Sequence, residues 1–86
     1  MRECVWEEQF EKEMRSIEPN ERRADDLIRG VEWVLAREAT TGTNIPNTRV
    51  WYITCRDVPK GRSLIVYYAF SETRVHFLSV IQFSMN

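Results

Sequence analysis

Two apolar runs close this 86-residue chain, Leu64-Ile-Val-Tyr-Tyr-Ala-Phe70 and Val75-His-Phe-Leu-Ser-Val-Ile-Gln-Phe83. Only Ser71-Glu72-Thr73-Arg74 separates them. Each run has the length of a strand and is rich in β-branched and aromatic residues. With a polar separator, that pattern predicts an antiparallel hairpin. A strand with one wet face alternates apolar and polar residues. These strands barely do. Both faces of the hairpin therefore want cover, and a chain this short has few elements to supply it. A sheet surface that binds something is the first functional expectation.

The N-terminal half is helical by pattern. Residues 2–6, Arg-Glu-Cys-Val-Trp, read as either a short strand or the lead-in to a helix. From Glu7 to Ile17, Phe10, Met14 and Ile17 recur at helical spacing. Glu8–Lys12 and Glu11–Arg15 are i,i+4 ion pairs in the favourable order. Pro19 ends that run. Asn20 suits the N-cap of a second helix reaching about Glu38, with Glu21, Asp25 and Asp26 near its positive end. Ala24, Leu27, Ile28, Val31, Val34 and Leu35 form one apolar stripe along it. Gly30 lies near the opposite face, where another backbone has room to approach. Trp33 falls off the stripe, and its ring is expected to lie flat across the stripe's edge.

Ala39 to Thr48 is a loop by composition. Arg49 to Arg56 then alternates, with Val50, Tyr52, Thr54 and Arg56 on one face and Trp51, Ile53 and Cys55 on the other. Pro59 and Gly61 mark Asp57 to Ser63 as a connection between strands. This order predicts an α+β domain spanning residues 1–86. Two N-terminal helices would pack on one face of a three- to four-stranded antiparallel sheet. The open face should carry Tyr52, Thr54 and Arg56, then Leu64, Val66 and Tyr68 or their neighbours. In the last strand Val75, Phe77, Ser79, Ile81 and Phe83 share one face, against His76, Leu78 and Val80. His76 therefore reads as a packed or edge residue rather than a general base. Exposed apolar patches mark interfaces, which makes Leu64, Val66, Tyr68, Phe77, Ile81 and Phe83 the candidate partner-binding residues.

A hydrophobic fraction of 43% and a charged fraction of 29% fit a globular protein and not a disordered one. No apolar run approaches the ~20 residues that a membrane span needs, and the first residues lack a signal-peptide pattern. A cytoplasmic protein with no membrane partner is expected. Cys4, Cys55 and the single His76 have no metal-ligand spacing, so reduced thiols and no metal or cofactor are expected. The net charge of −1 hides an asymmetry. Residues 1–38 hold seven Arg/Lys against eleven Asp/Glu, a balance of −4. Residues 39–86 hold Arg49, Arg56, Lys60, Arg62 and Arg74 against Asp57 and Glu72, a balance of +3. A solvated surface could produce this, but so could a sheet that meets a polyanion.

The order of elements resembles the RelE/ParE superfamily of bacterial toxins from type II toxin–antitoxin modules. Three segments carry the likeness: Phe10, Met14 and Ile17 with the Leu27-Ile28, Val31, Leu35 helix; Arg49-Val-Trp-Tyr-Ile-Thr; and Leu64-Ile-Val-Tyr-Tyr with Val75-His-Phe-Leu-Ser-Val. It spans nearly the whole chain as an order of elements and a hydrophobic pattern, with no invariant catalytic string. The resemblance implies a growth-inhibiting toxin masked by a cognate antitoxin. In the ribonuclease branch it implies a ribosome-dependent mRNA endoribonuclease working from the open sheet face. Candidate catalytic residues are then Arg56, Arg62 and Tyr52, with Arg49, Lys60 and Arg74 as candidate RNA-binding residues.

The chain departs from the ribonuclease pattern. Tyr52 and Thr54 stand where that type holds Lys, although Arg56 fits. Leu64 stands where it has Arg, with Arg62 two residues earlier, and Phe83 and Ser84 stand where Arg, Tyr or His is usual. Losing one phosphate-stabilising group lowers rate by a factor of ~10². Two further readings therefore stay open. One is a ParE-like DNA gyrase inhibitor without nuclease chemistry. The other is a degenerate, non-toxic interaction module that pairs with its own copy as a homodimer.

Overall fold

The computed structural model describes residues 1–83 and shows an α+β, two-layer arrangement. Strand β1 (Glu3–Trp6) leads into helix α1 (Glu8–Ile17), and helix α2 (Glu21–Arg37) follows. The remaining strands are β2 (Thr43–Asn44), β3 (Trp51–Asp57), β4 (Arg62–Phe70) and β5 (Arg74–Phe83). They form one sheet in the order β1-β5-β4-β3-β2. The expected sheet of three to four antiparallel strands is thus corrected to five strands of mixed direction, because β1 lies parallel to β5. Of residues 2–6, Glu3–Trp6 settle as strand. Pairing direction was invisible in so short a segment, since parallel partners can be far apart in sequence.

Both helices form where the apolar spacing places them. Asn20 caps α2 by accepting a hydrogen bond from the Arg23 N–H at 3.0 Å. Phe10 and Met14 of α1 and Ala24, Ile28, Val31 and Leu35 of α2 are buried in one cluster with Leu64, Val66, Tyr68, Val75, Phe77 and Val80. The Phe10 and Phe77 rings stand 5.4 Å apart, and Trp6 meets Phe10 edge-on at 5.0 Å. The helical layer covers one sheet face. Trp33 is a correction: the residue is 60% exposed, with the Arg37 guanidinium carbon 4.0 Å from its ring centroid. At Gly30 nothing lies within 4 Å of where a Cβ would sit, so no backbone approaches there.

The loop expected from Ala39 to Thr48 contains a 3₁₀ turn, Ala39–Thr41, and then β2. Tyr68 holds that turn to the core. Its hydroxyl donates to the Ala39 carbonyl at 2.7 Å and accepts from the Gly42 N–H at 3.2 Å. A Cβ at Gly42 would collide with the Tyr68 hydroxyl and the Tyr52 carbonyl oxygen. The β3–β4 connection turns on Gly61, whose φ of 62° lies in the left-handed region that favours glycine.

Strand β5 carries one extra residue. Tyr67 pairs with Ser79 but Tyr68 pairs with Phe77, so Leu78 bulges out of the ladder. Alternation restarts beyond it. Val75, Phe77 and Val80 face the helices, while His76 and Ile81 lie on the other side, in register with Ala69 and Ile65. The expected grouping of Phe77 with Ile81 and Phe83 therefore fails at the bulge. Past the end of β1, α1 takes over the edge of β5. Glu13 accepts from the Ser79 hydroxyl at 2.7 Å and the Val80 N–H at 3.2 Å. Burial pushes the Glu13 carboxyl up, and these bonds bring it below the ordinary value.

Candidate functional site

The sheet face turned away from the helices is the candidate site. Strand alternation assigns its members. From β3 come Tyr52, Thr54 and Arg56, paired in register with Tyr67, Ile65 and Ser63 of β4. From β5 come Arg74, His76, Ile81 and Phe83, and from β1 Val5. Tyr52 and Tyr67 lie ring to ring with centroids 6.3 Å apart, and both keep partial exposure. Thr54, Arg56 and Arg74 are exposed, and Ile81 is 43% exposed. Ser63, flanked in register by Arg56 and Phe83, is buried.

His76 is the residue whose placement changes most. It is partly exposed on this open face, opposite Ala69, and its Nδ1 lies 2.7 Å from Glu7 Oε1. Glu7 continues the alternation of β1 at the point where the chain turns into α1, and its N–H bonds the Phe77 carbonyl at 3.0 Å. That bond fixes the carboxylate beside the imidazole. The packed reading of His76 rested on grouping it with Leu78 and Val80, and the bulge separates those residues. Sequence reasoning missed Glu7, although its i,i+2 relation to Val5 was a usable signal once β1 is a strand.

Several expected site residues lie elsewhere. Arg62 is only 10% exposed and all of its bonds run inward: Nε to Asp57 at 2.8 Å, Nη2 to Glu18 at 2.8 Å and Nη1 to the Ile17 carbonyl at 2.8 Å. Lys60 also reaches Glu18, at 3.1 Å, and Arg23 joins the two carboxylates from the start of α2. Arg23 and Lys60, with the Asn20 N–H and Arg62, hold the Glu18 carboxyl at about 2. Burial raises Asp57, but Arg62 and Arg23 outweigh it and keep this carboxyl below its ordinary value. This cluster ties the α1–α2 junction to the β3–β4 connection. Arg62, expected among the candidate catalytic residues of the open face, is engaged in this cluster instead.

Leu64, Val66, Tyr68 and Phe77 are 0% exposed beneath the helices. A partner docking on the open face would meet their neighbours Ile65 and Tyr67, with Ile81 and Phe83 remaining on that face. Arg49 is exposed in the turn before β3. Ser84 lies outside the described residues. Cys4 and Cys55 are free thiols, each bonded to a carbonyl of α2, and burial pushes both up. A recess of about 180 Å³ between the helices is lined by Trp6, Met14 and Ala24 with Glu11, Arg15 and Asp25. It is too acidic to receive a polyanion. No grouping of metal-ligating side chains and no helix long and apolar enough to cross a membrane occurs among the described residues. No family model matches the chain, and no curated protein matches it either.

Proposed function

We propose that this protein is the toxin of a type II toxin–antitoxin pair, acting on RNA at the ribosome through its open sheet face. One observation carries the reading. The helices cover a single face, and the other combines a tyrosine pair with arginines, Arg56 and Arg74, that make no ion pair among the described residues. Aromatic rings stack on single-stranded bases and arginines contact phosphates, which is how sheet surfaces hold RNA. The order strand, helix, helix, then antiparallel strands is compatible with the RelE/ParE resemblance. Ile65, Ile81 and Phe83, at the end of the face near Arg56, offer an apolar strip on which an antitoxin segment would mask it.

Induced expression of the chain alone tests the reading. Growth arrest with rapid loss of full-length mRNA and no DNA-damage response is the expected result, and Tyr52→Ala with Arg56→Ala should relieve it. Arrest with intact mRNA and a DNA-damage response would instead favour gyrase inhibition. Unimpaired growth together with a stable homodimer in solution would favour a non-toxic pairing module.

A further inference from the structure

We infer that His76 is the general base of the open face, held by Glu7, and that its substrate is the 2′-hydroxyl of a single-stranded ribonucleotide. The inference rests on the RNA-directed reading above and adds the group that would do the chemistry. The Nδ1···Oε1 distance of 2.7 Å is that of a short, charge-assisted hydrogen bond. A carboxylate accepts only, so Nδ1 is the donor in this bond, and the neutral form of the ring then holds its lone pair on Nε2. Nε2 makes no hydrogen bond among the described residues, and His76 keeps about a third of its surface. Glu7 is itself anchored at the strand–helix junction by its N–H bond to Phe77. It therefore acts as a positioning residue, fixing the tautomer and the plane of the ring.

The surroundings fit a nucleotide. Ala69, in register with His76, contributes only a methyl group on that side of the imidazole. Tyr67 follows two residues before Ala69 on the same face of β4, leading to Tyr52. Arg74 precedes His76 by two residues on the same face of β5, about 7 Å along the strand. Its neighbour Glu3 on β1 makes no ion pair with it among the described residues. A base stacked at Tyr67 would place its sugar near His76 and the following phosphate within reach of Arg74. His76 Nε2 then takes the 2′-hydroxyl proton, and the 2′-oxygen bonds to the adjacent phosphorus. The bond from phosphorus to the 5′-oxygen breaks, and that oxygen takes a proton from water. The hydroxide left behind recovers the proton from the imidazolium. The products are a 2′,3′-cyclic phosphate and a 5′-hydroxyl end.

The test uses the full chain in a translation extract programmed with one defined mRNA, with cut ends mapped and quantified. His76→Ala should lose about 10²-fold or more of the cutting rate, the scale of general base catalysis. Added imidazole should restore at least tenfold of it, which a purely structural role would not permit. Glu7→Gln should lower kcat with KM nearly unchanged, and a 2′-deoxy sugar at the cut position should block the reaction. A folded His76→Ala that cuts within threefold of wild type overturns the assignment. So does an inactive His76→Ala that imidazole leaves inactive. Either result leaves the toxin reading standing if wild type still cuts. An mRNA left whole by the wild-type chain overturns the RNA-directed reading, and the base assignment with it.

Discussion

At the scale of single residues, the arginines divide into those that hold the fold and those left for a ligand. Arg62 lies between two buried carboxylates, whereas Arg56 stands in water on β3. Removing one partner of a buried pair leaves an uncompensated charge, which typically destabilises by about 3–5 kcal/mol. Arg23 and Lys60 still reach the cluster, so Arg62→Ala should fall at the lower end, near ~3 kcal/mol. Arg56→Ala should change stability by no more than ~0.5 kcal/mol. Urea unfolding of the two variants checks the contrast. Loss of toxicity in Arg62→Ala would report on folding, while the same loss in Arg56→Ala would report on the site.

The same cluster sets how the protein meets acid. Glu18 ionises at about 2 in the folded chain against an ordinary value of 4.5, and Asp57 is depressed in the same sense. Groups depressed on folding stabilise above their unfolded values and lose that contribution as pH falls. The urea midpoint should therefore be level from neutral pH to about 5 and decline from about 4.5 towards about 2. Glu18→Gln should flatten much of that decline. An equally steep curve in this variant would show that the acid sensitivity arises elsewhere.

At the scale of elements, the bulge decides what can be read in advance. Without Leu78, β5 would alternate without a break: Val75, Phe77 and Val80 inward, His76, Ser79 and Ile81 outward. Deleting Leu78 should therefore leave every remaining residue on its present face and partner. Deleting Ile81 instead moves Gln82 and Phe83 to opposite faces, since a one-residue slip reverses a strand. The Leu78 deletion should melt within about 5 °C of wild type, roughly the shift expected of 1 kcal/mol in a domain this small. The Ile81 deletion should fall well below it. Thermal melts followed by circular dichroism decide between them.

This is also where sequence and structure part company. Both helices were legible, because a 3.6-residue period and an Asn cap act locally. The two faces of β3 were legible for the same reason, and with them Tyr52 and Arg56. The pairing of β1 with β5 and the position of the bulge arise from contacts between ends of the chain, such as Glu3 with Arg74 and Glu13 with Val80. No local period encodes them. His76 and Glu7 went unrecognised as a pair because their proximity depends on both features.

At the scale of the whole molecule, the charge division between the two halves changes meaning. Lys60 and Arg62 belong to the basic half by sequence, yet in space they neutralise Glu18 and Asp57. Of the five cations in that half, Arg49, Arg56 and Arg74 make no ion pair among the described residues. A polyanion would therefore be held by few phosphate contacts and oriented by the tyrosine pair. Binding of a single-stranded oligoribonucleotide should weaken with salt, each phosphate contact adding about 0.7 to the slope of log K against log salt. Three contacts would give a slope near −2, on the order of 0.7 for each arginine. Replacing Arg56 and Arg74 together by Gln should remove roughly 1.4 of it, again at about 0.7 per contact. Replacing Lys60 by Gln should leave the slope nearly unchanged, because its charge is already engaged with Glu18. A slope that responds to Lys60 and not to Arg56 and Arg74 would place the nucleic acid at the β3–β4 connection and remove it from the open face.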